Sequence, residues 1–143
     1  MLHDKSIAVV IPAYNEQLLI GKVVETMPDF VDHIVIVDDV SSDNTIEVVK
    51  ALIATHPSVT LLEHQVNQGV GGAISTGYIW ARDNEIDVTA VMAADFQMDP
   101  DDLERMVSPV CRGESDYTKG NRLFRGESWE MIPKHRYFGN SCL

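Results

Sequence analysis

Asp95 stands just after a short apolar run, Val88, Ala90, Val91 and Met92, and Pro100 opens a new segment five residues later. Such a run reads as a buried strand. A carboxylate just past the carboxyl end of a buried parallel strand lies where open α/β sheets hold their ligands. A group there can hold a divalent cation or handle a diphosphate, so Asp95 is the first candidate for catalysis and for metal binding. Two more sets of polar residues follow apolar runs in the same way. Tyr14 and Glu16 come after Ser6–Ile11, and Asp38 and Asp39 come after His33–Val37. Between Asp83 and Glu104 there are eight acidic residues and no Lys or Arg. For the outer carboxylates a solvated acidic face is an equal reading, but a buried strand points Asp95 inward.

The elements that must position these groups follow from hydrophobic period. Ser6–Ile11 is a continuous β-branched run, the pattern of a strand buried on both faces. A helix follows with Leu18, Leu19, Val23, Val24 and Met27 on one side, stopping near Pro28. His33–Val37 is a second strand, and Ser42 or Asp43 caps a helix carrying Ile46, Val49 and Leu52 or Ile53. Ser58–Leu62 is a third strand; Asn67 to Gly72 leads into a helix containing Ala73, Gly77 and Ala81; Val88–Met92 is the fourth strand. Asp99 is the expected N-cap of a helix from Pro100 to Cys111, with Leu103, Met106 and Val107 on its core side. Asp116–Gly120 reads as a short fifth strand, and Asn121–Leu143 has no clear period. Alternating strands and helices with short connections predict an α/β fold, a mostly parallel twisted sheet with helices on both faces. In a parallel sheet the loops after strands one, two and four emerge on one edge. They bring Tyr14, Glu16, Asp38, Asp39 and Asp95 together.

At 143 residues the chain has room for one domain with a single core. A net charge of −11 argues against a nucleic-acid partner, which needs clustered Lys and Arg. The charge is uneven: residues 1–111 carry 5 basic and 18 acidic groups, residues 112–143 carry 6 and 4. The last quarter is thus the part suited to an anionic ligand or surface. Cys111 and Cys142 fit neither a metal spacing nor a disulfide framework, the five histidines are scattered, and no signal peptide opens the sequence. A cytoplasmic location is expected.

Two nucleotide-linked folds compete. A dinucleotide-binding domain places its glycine-rich turn after strand one, where this chain has Pro12-Ala13-Tyr14-Asn15-Glu16. Gly69, Gly71 and Gly72 follow strand three instead, where close packing of a helix start is a better reading than a phosphate cradle. A signalling receiver domain shares the acidic pair Asp38-Asp39, but such modules carry it on the first strand.

Taken together, Val10-Ile11-Pro12-Ala13-Tyr14-Asn15-Glu16, Val37-Asp38-Asp39 with Ser41–Thr45, Asn67-Gln68-Gly69 and Met92–Pro100 resemble a family 2 glycosyltransferase of the GT-A fold. Within it the resemblance is to polyprenyl- or dolichol-phosphate sugar synthases, and it runs from about Ser6 to Asn140. The resemblance implies transfer of a sugar from a UDP- or GDP-sugar with inversion, assisted by Mg²⁺ or Mn²⁺. It places Pro12, Ala13, Tyr14 and Glu16 around the base and ribose, with Val37 and Asp39 beside them. It gives Ala93, Ala94, Asp95 and Gln97 to the donor and Arg122 to the diphosphate. Asp95 matches the second acid of the family's Asp-X-Asp motif, which binds the metal; position 93 is Ala where the first acid usually stands, and Val40 replaces a usual Gly. An aromatic such as Tyr14 beside an acid suits a planar base and a ribose, with a core aromatic as the alternative for Tyr14 and a surface cation for Arg122.

By the same resemblance, residues 1–143 form a single nucleotide-sugar-binding domain that lacks the C-terminal acceptor-binding part. The acceptor is a polyprenyl phosphate or a growing glycan. A lipid phosphate is already ionised and needs no strong base. Peripheral contact with the cytoplasmic face of a membrane, and a homodimer, are both compatible with this reading. Its rival is a nucleotide-sugar-binding module without transferase activity.

Overall fold

The computed structural model describes residues 1–120. Its sheet is built from the four apolar runs: β1 (Ile7–Ala13), β2 (His33–Asp38), β3 (Val59–Glu63) and β4 (Val88–Val91). They lie in the order β3-β2-β1-β4, and every pairing is parallel. Ile7 pairs with Val88 and Ala13 with Asp38, so the carboxyl ends of β1, β2 and β4 share one edge. The expected parallel sheet and its convergent loops are therefore present. β1 runs two residues past the expected end, and Pro12 and Ala13 still pair with β2.

Side-chain alternation divides the core in two. Ile7, Val9 and Ile11 of β1, with Ile34 and Ile36 of β2, pack beneath α1 (Ile20–Glu25), α2 (Thr45–Ile53) and α4 (Leu103–Cys111). Ala8 and Val10, with Val35 and Val37, face α3 (Gly69–Asp83) through Ala73 and Ala81. Both faces of β1 are closed, which is why its sequence is apolar at successive positions. Burying each such Val or Ile contributes about 1.5–3 kcal/mol. Gly77 lets α3 press onto β1, since a Cβ there would stand 2.3 Å from Val10 Cγ1.

Four local expectations are revised. The first helix is short, and Leu18, expected on its core side, is 81% exposed. The backbone N–H groups of Glu16 and Gln17 bond to Thr45 Oγ1, at the start of α2, and to Asp43 Oδ2 just before it, and Leu18 lies in the turn ahead of α1. The N-cap of α2 is Asn44, not Ser42 or Asp43, and it makes no side-chain cap. Asp43 acts from one residue earlier, its Oδ1 accepting from the Thr45 N–H at 3.0 Å and from the Thr45 hydroxyl. Residues 116–120 form no strand; Thr118 Oγ1 donates to the Met106 carbonyl of α4 at 2.7 Å. The segment opening at Pro100 begins as a 3₁₀ turn (Pro100–Asp102), and Asp99 caps it as expected by accepting from the Asp101 N–H at 3.0 Å.

Candidate functional site

The loops after β1 and β2 are stapled to each other. Asn15 N–H donates to Ser41 Oγ at 2.9 Å, and Asn15 Oδ1 accepts from the Ser42 N–H at 2.8 Å. Glu16 N–H donates to Thr45 Oγ1 at 2.8 Å, and Gln17 Oε1 accepts from the Asn44 N–H at 3.0 Å. Asn15 and Val40 both take left-handed backbone conformations, φ 58° and 66°. Asn tolerates this region, whereas a β-branched residue is strained there. That strain is the physical reason a Gly suits the position after the acidic pair.

Asp39, 4% exposed, is the fixed point of the edge. Its Oδ1 accepts from the Gln68 N–H at 2.8 Å and faces His64 Nδ1 at 2.7 Å, while Oδ2 accepts from the Gly69 N–H at 2.7 Å. Its backbone carbonyl accepts from Asn67 Nδ2 at 2.8 Å. Burial alone would raise its pKa; the Gln68 N–H, the His64 ring and the Gly69 N–H outweigh it and hold Asp39 below the usual carboxylate range. Asp39 therefore stays an acceptor.

A cleft of about 610 Å³ opens beside it, lined by Tyr14, Asp39, Val40, Asn67, Gly69 and Val70. A smaller depression of about 160 Å³ adjoins it and is reached by Pro12, Ala13, Glu16 and Ala73. Tyr14 is 54% exposed, a wall of the cleft and not a core aromatic. Asp38 points to the opposite side of the sheet, fully buried; its Oδ2 accepts from the Ser41 N–H at 2.9 Å, and its Oδ1 has no partner among the described residues.

The β4 end is built differently. Asp95 is half-buried in the turn beyond β4, and its Oδ1 accepts from the Gln97 N–H at 3.1 Å. Phe96 takes a left-handed φ of 58°. Glu16 lies close enough to feel Asp95: partial burial, then the Asp95 and Asp43 carboxylates, push its pKa up. Glu16 borders the smaller depression, and a second carboxylate this near makes the spot favourable for a cation. Among the described residues no group of three His, Cys, Asp or Glu side chains could enclose one. The donor set fits a hard divalent ion that takes one or two carboxylates and completes its shell with phosphate oxygens and water.

Of the residues expected in the site, Pro12, Ala13, Tyr14, Glu16 and Asp39 line the paired depressions. Asp95 and the half-buried Ala93 lie in the turn beyond β4, Gln97 is exposed there, and Ala94 is buried. The Val37 side chain is wholly in the core against α3. Arg122 lies outside the described residues. Sequence reasoning left His64, Thr76 and Asn67 without roles. Asn67 and Gly69 carried a signal, the glycine-rich opening of α3, but His64 stood as one scattered histidine.

Comparison with known proteins bears on the family and the fold. The family model described as "Glycosyl transferase family 2" matches residues 8–141. A Methanococcus voltae protein named UDP-N-acetylglucosamine–dolichyl-phosphate N-acetylglucosaminyltransferase is 33% identical, covering 96% of this chain and 60% of its own. An undecaprenyl-phosphate mannosyltransferase of Micrococcus luteus is 32% identical over 89% of this chain and 52% of its own. The chain thus spans little more than half the length of these relatives. The mannosyltransferase PcManGT of Pyrobaculum calidifontis, solved with GDP-Man and Mn²⁺, superimposes with a TM-score of 0.63 at 26% identity, over 74% of this chain and 32% of that one. The family match covers nearly the whole chain, including all of the sheet but its first residue, so the chain belongs to glycosyl transferase family 2.

Proposed function

We propose that residues 1–143 are the donor-binding part of an inverting glycosyltransferase that takes a nucleoside-diphosphate sugar and serves a polyprenyl-phosphate acceptor. The observation that carries this reading is the edge of the sheet. A locked carboxylate, Asp39, and an exposed aromatic, Tyr14, flank a cleft large enough for a nucleotide, Glu16 borders the adjoining depression, and Asp95 lies near enough to Glu16 to raise its pKa. Tyr14 offers a face for the base, Asp39 an acceptor for its N–H edge, and Pro12 and Ala13 a close apolar floor.

Inversion follows from one displacement at the anomeric carbon. The acceptor oxygen attacks from the face opposite the nucleoside diphosphate, the new C–O bond forms as the sugar–phosphate bond breaks, and the electron pair leaves on the diphosphate. Asp95, with Glu16 beside it, would hold a divalent cation, which would supply positive charge against the negative charge gathering on that leaving group. An ionised phosphate acceptor needs no general base, which agrees with the acceptors in the names of both sequence relatives. No helix among the described residues is long and apolar enough to cross a membrane. We place the domain in the cytoplasm, at the membrane face where a lipid phosphate is presented.

Calorimetric titration with UDP, GDP and their sugar conjugates, with and without Mn²⁺, tests the reading. Metal-dependent binding that disappears in Asp95→Ala is expected. Binding without transfer to a polyprenyl phosphate would favour a binding module, which Ala93 in place of an acid also favours. Absence of binding by every nucleotide would sink the donor site.

A further inference from the structure

His64 follows β3 directly, and its side chain is only 6% exposed. Nδ1 lies 2.7 Å from Asp39 Oδ1, and Nε2 lies 2.9 Å from Thr76 Oγ1 on α3. Because Asp39 is an ionised acceptor, Nδ1 carries the proton and donates. Nε2 lies within hydrogen-bond reach of the Thr76 hydroxyl, a group that can donate or accept. The ring is held at both nitrogens, and α3 is itself fixed against β1 at Gly77.

This arrangement sets what Asp39 has left to offer. A carboxylate oxygen accepts about two hydrogen bonds. Among the described residues, Oδ1 already takes the Gln68 N–H and His64, and Oδ2 takes only the Gly69 N–H, so the capacity they leave is one acceptor position on Oδ2. Uracil presents a single ring N–H between two carbonyls. Guanine presents two adjacent donors, N1–H and the amino group, which pair with a carboxylate only when both oxygens are open. A donor left unpaired in a desolvated site is costly, and such mismatches discriminate strongly.

Resting on the donor-site reading above, we propose that His64, braced by Thr76, is a positioning residue that leaves Asp39 one open acceptor and thereby selects a uracil nucleotide over a guanine nucleotide. Neither His64 nor Thr76 needs to touch the sugar or the diphosphate. Their effect reaches the ligand through Asp39.

The test is calorimetric titration of the 143-residue chain with UDP and GDP, in the wild type and in His64→Ala, His64→Asn and Thr76→Val. The wild type is expected to bind UDP at least about 10-fold more tightly than GDP. His64→Ala frees Oδ1, so UDP binding weakens and the preference falls to within about threefold. Asn places an amide N–H where Nδ1 stood, so His64→Asn restores most of the preference. Thr76→Val leaves Asp39 paired and folds even where His64→Ala does not; it loses part of the preference. A general loss of structure would weaken both nucleotides alike and leave their ratio unchanged. Equal or tighter binding of GDP by the wild type overturns the proposal, as does a preference unchanged in both Thr76→Val and the alanine variant. Binding of neither nucleotide overturns the donor-site reading itself, and the proposal with it.

Discussion

The two carboxylate-bearing ends of the sheet edge, after β2 and after β4, are made by opposite means. At the β2 end, Asp39 is bonded to residues from the β3–α3 connection and the start of α3, all far from it in sequence, and the loops after β1 and β2 clamp each other. At the β4 end, among the described residues, Asp95 is held by one bond to a residue two positions away. The first end is finished by the fold. At the second, Asp95 and the nearby Glu16 carry negative charge that a bound cation would offset; under the proposed function the first end would shape the base site and the second would supply charge at the phosphates.

That contrast can be broken at either end. The largest effect is expected from Asp39→Ala, which strips an acceptor from Gln68, Gly69 and His64 at once; unfolding should ease by about 2–4 kcal/mol, read as a fall in Tm. Gly77→Ala drives a methyl into Val10 and displaces α3, the support of Thr76, at a cost of about 2–3 kcal/mol. Val40→Gly relieves the left-handed strain beside Asp39 and should stabilise by about 1 kcal/mol, less the added freedom of the unfolded chain. Asp95→Asn should leave stability within about 0.5 kcal/mol while abolishing the metal dependence of nucleotide binding.

A titration away from the cleft provides a control. Asp87 ties the start of β1 to the residue before β4: Lys5 Nζ, then the Ser6 N–H and hydroxyl, lower its pKa from 3.8 to about 2. Its folded-state pKa is depressed, so its stabilisation is complete above the ordinary carboxylate pKa and is lost as the pH falls from about 4 to 2. Asp87→Asn should therefore lower Tm at pH 7 and make little difference at pH 2, with no change in nucleotide affinity.

The sheet was legible because strands closed on both faces must be apolar at successive positions, as Ile7–Ile11 and Ile34–Val37 are. The edge carrying Asp39 and Asp95 followed from parallel connectivity. The first helix was overdrawn because apolar spacing at Leu18 and Leu19 does not fix the residue at which a helix begins, and α1 starts only at Ile20. His64 was illegible for a related reason. Its partners lie 25 residues before and 12 residues after it, and only the packing of α3 on the sheet brings them to one ring. The strain at Val40 was visible as an unusual side chain after the acidic pair, but its backbone angle was not.

The most direct test separates base from phosphate. Uridine and UDP, with guanosine and GDP in parallel, would be titrated into the wild type and Asp95→Ala with and without Mn²⁺. The account predicts nucleoside binding that ignores both Mn²⁺ and the substitution, and diphosphate binding that strengthens with Mn²⁺ in the wild type alone. Nucleoside binding that requires Mn²⁺, or Mn²⁺-dependent diphosphate binding that survives the loss of Asp95, would contradict it.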